Sequence, residues 1–284
     1  MITPNPTFQI ALLILLAPFF GALIAGLDRK ITARMQGRIG PPVLQPFYDV
    51  MKLLRKEPIV VNRIQVVYAF LHLAFMALSL ILLVLGQDSL MFLFVFAFST
   101  LALVLGGMCV RSPYSRIGSQ REIMLMVAYE PVLIVLMIGM YLVNGSFLLA
   151  SPIAAARPML FTLPLIFIAV LVVLAIKLQK SPFDLATSHH AHQEIIKGLT
   201  IEYAGPYLAI LEIAHFYEIA LLFYLIMLFW ASSLLIGALL ACAAFFLMII
   251  ADNVFARLTS IWTFRFMWTG ALILSLTNIL WLYL

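Results

Sequence analysis

The chain has 284 residues, of which 65% are apolar and 10% charged. A soluble domain is about a quarter charged and about half apolar, so the composition excludes an ordinary water-soluble enzyme and makes lipid the solvent. A net charge of +5 would suit a nucleic-acid partner, but the placement of that charge along the chain points elsewhere.

A helix crosses the hydrocarbon layer with about 20 mostly apolar residues. Such runs fall at 8–27, 64–86, 89–110, 123–143, 158–176, 207–230, 232–251 and 266–284. They predict an all-α, polytopic bundle of eight transmembrane helices forming a single membrane domain over 1–284. The first basic residue, Arg29, follows the first run. A secretory signal carries its positive charge before the apolar core, so 8–27 is expected to remain as a membrane helix.

Sixteen of the seventeen Lys and Arg residues fall in 28–63, 111–121, 177–200 and 251–265, and only Arg157 falls elsewhere. With eight crossings these four segments share one side. Basic loops stay in the cytoplasm, which predicts both termini outside and a multi-pass protein of the inner (cytoplasmic) membrane. The same asymmetry accounts for the positive charge without nucleic acid.

The first basic segment reads RKITARMQGRIGPPVLQPFYDVMKLLRKEP. Gly40, Pro41 and Pro42 break it, and a short helix is expected from Val43, closed by Pro58. Its apolar positions Val43, Leu44, Phe47, Val50, Met51, Leu53 and Leu54 recur at helical spacing against Gln45, Asp49, Lys52, Arg55 and Lys56. Such a helix lies in the interface plane, either on anionic lipid or as a platform for a peripheral partner. Spacing leaves both open.

Carboxylates inside spans are costly, by about 2.5–3.5 kcal/mol each at mid-bilayer on insertion scales. Glu130 lies in the fourth span, followed directly by Pro131, which removes a backbone donor. Glu202, Glu212, His215 and Glu218 lie in TIEYAGPYLAILEIAHFYE around the start of the sixth. At 100° per residue the last three fall within an arc of about 120° and rise about 9 Å. A file of titratable groups on one face is what a proton path requires. The alternative is that these acids pair with Arg121, Lys197 or a partner's base and only hold helices together.

His189, His190 and His192 sit in the run HHAHQE. Neighbouring histidines face different ways, so loop exposure or a partner interface is expected, and no metal site. Cys109 and Cys242 lie in separate apolar runs. An iron–sulfur cluster needs about four thiolates, so no redox centre is expected on this chain.

Three motifs in order, RMQGRIGPPVLQPFYDVMKLLRKEP, REIMLMVAYEPVL and KSPFDLATSHHAHQEIIKGLTIEYAGPYLAILEIAHFYE, resemble the H-type membrane subunit of respiratory complex I and its hydrogenase relatives. The resemblance covers residues 28–220. Within that superfamily the chain is most similar to the version in energy-converting, Ech-type nickel–iron hydrogenases and formate hydrogenlyase. GRIGPPVLQP lacks the longer glycine–proline stretch of complex I. ATSHHAHQ replaces the acidic loop after Asp184, and His215 falls about where complex I subunits carry a further glutamate.

The resemblance implies a subunit joining a peripheral redox arm to an ion-pumping membrane arm. Glu130, Glu194, Glu202, Glu212 and Glu218 align with or neighbour the family's acidic channel, with His215 among them and Arg121 at its basic mouth. Arg29, Arg34, Arg38, Gln45, Asp49, Lys52, Arg121 and Asp184 would face partners. Those partners would be hydrogenase large and small subunits and a ferredoxin-like iron–sulfur subunit on the cytoplasmic side, with antiporter-like subunits in the bilayer. Nickel–iron and iron–sulfur centres would sit in the partners. The departures above argue against a quinone here. The other readings are the quinone-site subunit of a complex I, a stand-alone transporter and a structural anchor. A transporter would show inverted repeats, and none is evident between the two halves.

Overall fold

The computed structural model describes residues 6–150, 158–183 and 198–284. Asp184, Glu194, His189, His190, His192, Lys197 and Arg157 lie outside the described residues. In chain order the elements are α1 (Pro6–Met35), α2 (Gln45–Leu54), α3 (Arg63–Val84), α4 (Ser89–Met108), α5 (Pro113–Asn144) and α6 (Met159–Thr162). There follow α7 (Pro164–Lys177), α8 (Pro206–Met227), α9 (Leu234–Val254), α10 (Ser260–Arg265), a π-helical turn over Phe266–Ala271, and α11 (Leu272–Tyr283). Among the described residues the only bridge of β type joins Asp88 to Leu148.

Among the described residues seven stretches are long and apolar enough to cross a membrane. The fifth expected span, 158–176, is instead α6 and the 14-residue α7, separated at Leu163. Pro164 supplies no backbone donor and opens α7 at its first turn, where proline is tolerated. The exposed donors of that turn find a partner on the last helix. Asn278 Oδ1 accepts from Leu165 N at 2.8 Å and Ile166 N at 3.1 Å, and its Nδ2 donates to Thr162 O at 3.1 Å. A buried amide on α11 thus caps α7 and bridges the break.

Boundaries also differ at the basic ends. α1 continues through Arg29, Lys30 and Arg34, and α5 begins at Pro113, so Arg116 and Arg121 stand on a helix. Apolar periodicity marks where lipid ends, and a helix can run on into the interface beyond that point. α2 forms as its pattern predicts but stops at Leu54, with Arg55 as its cap, ahead of Pro58.

α8 is the central helix. It packs against α1, α2, α3 and α9, and 72% of its span is buried against 22% for α1. α1 reaches it at a small residue, since a Cβ on Gly21 would lie 2.0 Å from Phe216 O, and Gly26 admits the segment before α2 as closely, 1.8 Å from Val43 O. Without lipid-excluding force between helices, such close approach is what holds them together.

The end of α7 shapes everything that follows. Gln179 takes a left-handed φ of 54°. Gln179 N then donates to Ile176 O at 3.0 Å and Lys180 N to Ala175 O at 2.9 Å. This pair of reversed hydrogen bonds is the Schellman ending. It stops the helix so that Lys177, on the last turn, and Lys180, just past it, leave in different directions.

Candidate functional site

Lys177, at the boundary between an apolar run and a basic loop, reads in the sequence as a cytoplasmic surface charge. In the structure it is a core residue. Its Nζ lies 2.7 Å from Glu218 Oε1, with side-chain exposures of 6% and 11%. The ammonium has three donors, and three acceptors surround it: Glu218, Thr100 Oγ1 at 3.3 Å and Tyr129 OH at 3.4 Å. Tyr129 OH in turn donates to Thr100 Oγ1 at 3.4 Å. The rings of Phe96 and Tyr129 present their faces at 4.6 and 5.0 Å, a favourable setting for a desolvated cation. Phe96 and Thr100 come from the middle of α4, Tyr129 from the middle of α5 and Glu218 from the middle of α8. An ion pair between α7 and α8 therefore stands inside the bundle, in a cage drawn from four helices.

The second oxygen of Glu218 leads outward. His215 Nδ1 lies 3.3 Å from Glu218 Oε2, one helical turn away, and the His215 side chain is 34% exposed. His215 and Glu212 both line a pocket of about 410 Å³ between α1, α8 and α9. Its polar end carries Asp28, Arg29 and Lys180, and its walls are Phe223, Phe245 and other apolar side chains. The helical face read from the sequence is thus a graded series, with Glu212 and His215 at the pocket and Glu218 in the core.

The other predicted acids are placed differently. Glu130 is half-buried on α5, and its Oε1 is enclosed with no hydrogen-bond partner among the described residues. Lys177 acts on it electrostatically without an ion pair. Glu202 lies partly exposed in the turn before α8. Arg121 sits on the first part of α5, half-buried, and is not the base that pairs with Glu218.

The predicted partner-facing residues divide in two. Arg29 and Asp49 form an exposed ion pair at 2.8 Å, and Gln45 Nε2 donates to the same carboxylate at 2.8 Å. These three join α1 to α2. Arg34, Arg38 and Lys52 stay exposed on the basic face, with Arg38 bonded to Gln36.

Three further contributors carry almost no signal in the sequence. Lys180 Nζ bridges Asp28 at 2.6 Å on α1 and Asp252 at 3.1 Å on α9, and Ser181 N donates to Asp252 Oδ1 at 2.9 Å. Burial lowers the pKa of this lysine, but the two carboxylates outweigh burial and hold it above its ordinary value. His72, buried on α3, sets its Nδ1 at 2.8 Å from Ser99 O and 2.9 Å from Ser99 Oγ, tying α3 to α4. Glu122, on α5, lies within electrostatic reach of Lys177 and Glu218. The only hint for these is that each is a polar residue in or beside an apolar run.

Among the described residues no group of three or more His, Cys, Asp and Glu could hold a metal. The two cysteines are free and apart, Cys109 ending α4 and Cys242 on α9.

A helical membrane bundle with a lysine–glutamate pair at its centre and a basic face at one end is the class of protein this architecture defines. The chain belongs to the NADH dehydrogenase family, whose model matches residues 8–283. It is 26% identical to hydrogenase-4 component C of Escherichia coli K12, over 96% of this chain and 94% of that one. It is 29% identical to the H-type subunit of the NADH-quinone oxidoreductase of Geobacillus kaustophilus, over 89% and 85%. Among solved structures it matches a chain of the membrane-bound sulfane sulfur reductase, an archaeal respiratory membrane complex. That match has a TM-score of 0.87 and 25% identity, covering 98% of this chain and 99% of the other.

Proposed function

We propose that this chain is the membrane-anchoring and coupling subunit of a hydrogenase complex of several subunits in the inner membrane, linking a peripheral electron-transfer arm to proton or sodium translocation. The observation that carries the proposal is the Lys177–Glu218 pair, connected through His215 to a pocket whose polar end lies at the basic face. Moving one charge across the membrane takes about 2.3 kcal/mol per 100 mV. A chain with no redox centre receives that energy from a partner, as a change in local charge or position. The similarity to hydrogenase-4 component C along nearly the whole of both chains supports a hydrogenase as the parent complex. Large and small hydrogenase subunits and a ferredoxin-like iron–sulfur subunit would carry the metal centres and dock on the basic face, through Arg34, Arg38, Lys52 and the loop holding Asp184. Antiporter-like subunits would adjoin in the bilayer.

In this reading His215 and Glu212 collect a proton at the pocket, and Glu218 exchanges it against the fixed charge of Lys177. Glu130, with an enclosed oxygen that has no partner among the described residues, is the next acceptor on the α5 side. Glu202, in the turn before α8, extends the file towards the basic face, and the family resemblance adds Glu194 to it. The test is made on proteoliposomes holding the whole complex and driven by a reduced viologen. Glu130→Gln and Glu202→Gln are expected to retain hydrogen turnover and lose most ion uptake per turnover. Normal uptake in both variants would remove them from the path.

A second reading is the quinone-site subunit of an NADH:quinone oxidoreductase. The pocket's apolar walls and polar end suit an amphipathic head, and relatives of that name are 29% identical. Purification decides between the two: a nickel-binding large subunit in the complex supports the first, an NADH-oxidising module with bound quinone the second.

A further inference from the structure

The cage around Lys177 is more specific than an ion pair requires. One carboxylate oxygen and two hydroxyls, contributed by three different helices, converge on a single point. Two aromatic faces close over the same point. Oxygen donors of this kind are what hard cations take. The ammonium that occupies the point arrives from a fourth helix, on a long side chain.

We infer that Lys177 is the specificity-determining residue of this path. Its ammonium is a tethered cation filling a seat that would otherwise take a small monovalent ion, so protons pass through this chain and sodium does not. The inference rests on the coupling reading above and adds the identity of the ion.

The physical argument is one of occupancy. A sodium ion drawn to Glu218 would stand about 4 Å from the ammonium, and at an effective dielectric near 20 that repulsion weakens binding on the order of a thousandfold. The remaining oxygens cannot compensate. Glu218 Oε2 faces His215, itself a cation when protonated, and Thr100 and Tyr129 are already bonded to the lysine. A proton needs no seat. Transfer from protonated His215 Nδ1 to Glu218 Oε2 leaves a neutral imidazole and a neutral carboxylic acid. Lys177 then has no counter-charge at Glu218, and Glu122 and Glu130 are the acids on which its charge still acts. Loss of the proton from Glu218 to a further acceptor restores the pair.

The experiment opens the seat. In the purified complex, Lys177→Ala removes the tether and leaves the cage. Thermal unfolding is followed in sodium chloride, methylammonium chloride and choline chloride at equal ionic strength. The expected result is a melting temperature raised by sodium or methylammonium over choline in Lys177→Ala. No such difference is expected in the wild type, nor in Lys177→Met, where an apolar chain fills the space, nor in Lys177→Ala with Glu218→Gln. Equal melting of Lys177→Ala in all three salts overturns the inference. If the alanine variant does not assemble, the amount of complex in membranes of cells grown with methylammonium is compared with growth in choline. Recovery supports the seat and its absence refutes it. None of these readouts depends on pumping. Cation-dependent stability together with undisturbed ion uptake in Glu218→Gln would therefore keep the seat and reject the coupling role, whereas the opposite pair of results would do the reverse.

Discussion

Removing one half of the central pair is expected to cost far more than removing both. Lys177 and Glu218 are 2.7 Å apart with side-chain exposures of 6% and 11%, so neither charge can be rescued by solvent when its partner is lost. Breaking a buried pair in this way costs about 3–5 kcal/mol, whereas replacing both partners with neutral side chains of similar volume is often neutral. Lys177→Met leaves Glu218 with His215 at 3.3 Å as its remaining polar partner. Glu218→Gln leaves an ammonium against two hydroxyls and two rings, a softer environment, and is expected at the lower end of the range. In the double variant, methionine keeps contact with the Phe96 and Tyr129 faces and glutamine keeps a hydrogen bond to His215. Its cost is expected to be below about 2 kcal/mol, a coupling of several kcal/mol that only directly interacting sites show. For a chain of this size each kcal/mol moves the melting temperature by roughly 2 °C. Each single variant should therefore melt about 6–10 °C below the wild type, and the double variant should recover most of that loss. The measurement is thermal unfolding of the purified complex in detergent, followed by aggregation of this subunit. A double variant no more stable than the worse single would refute the reasoning, as would a single variant within about 1 kcal/mol of wild type.

The other predictions follow from the same geometry. Lys180→Met leaves Asp28 and Asp252 facing each other across a half-buried gap and should cost about 2 kcal/mol, between the exposed and fully buried cases; protease cleavage between α7 and α8 should speed up, and unchanged cleavage counts against the tether. Because Lys180 is held above its ordinary pKa, its stabilising contribution is complete below about pH 10.5 and is lost as pH rises through the higher folded value. The wild type should thus lose stability faster than Lys180→Met only in strong alkali. Asn278→Ala strips two backbone donors and one carbonyl at the α6–α7 break and should lower stability by about 2–4 kcal/mol, read as a lower melting temperature, while Asn278→Asp, which keeps the acceptor, should lose less. Gly21→Leu places a side chain where Phe216 O already stands. It should part α1 from α8 and lower the yield of assembled complex, whereas Leu23→Ala on the exposed side of α1 should not.

Much of the architecture was legible because lipid imposes a simple rule. A spanning segment must satisfy its own backbone and present apolar side chains, so most crossings stand out as runs. The helical face joining Glu212, His215 and Glu218 was equally readable, since 3.6-residue periodicity places side chains on a face before any tertiary contact exists. The broken fifth span was not. Whether Pro164 kinks a helix or starts a new one depends on what meets the freed donors, and Asn278 comes from more than a hundred residues away. Nor was the exposed contact of Arg29 and Gln45 with Asp49, which joins α1 to α2 across the helix break at Gly40–Pro42.

Local pattern thus sufficed for most of the apolar runs, the amphipathic α2 and the acidic face of α8, because each depends on neighbours within a few residues. The direction taken by Lys177 depends on nothing local. A lysine on the last turn of an apolar helix can extend its charge to the interface or fold it inward, and here Thr100, Tyr129 and Glu218 decide, on three helices remote in sequence. Electrostatic pairing acts through space, so the feature on which the proposed chemistry turns became visible only when the helices were packed.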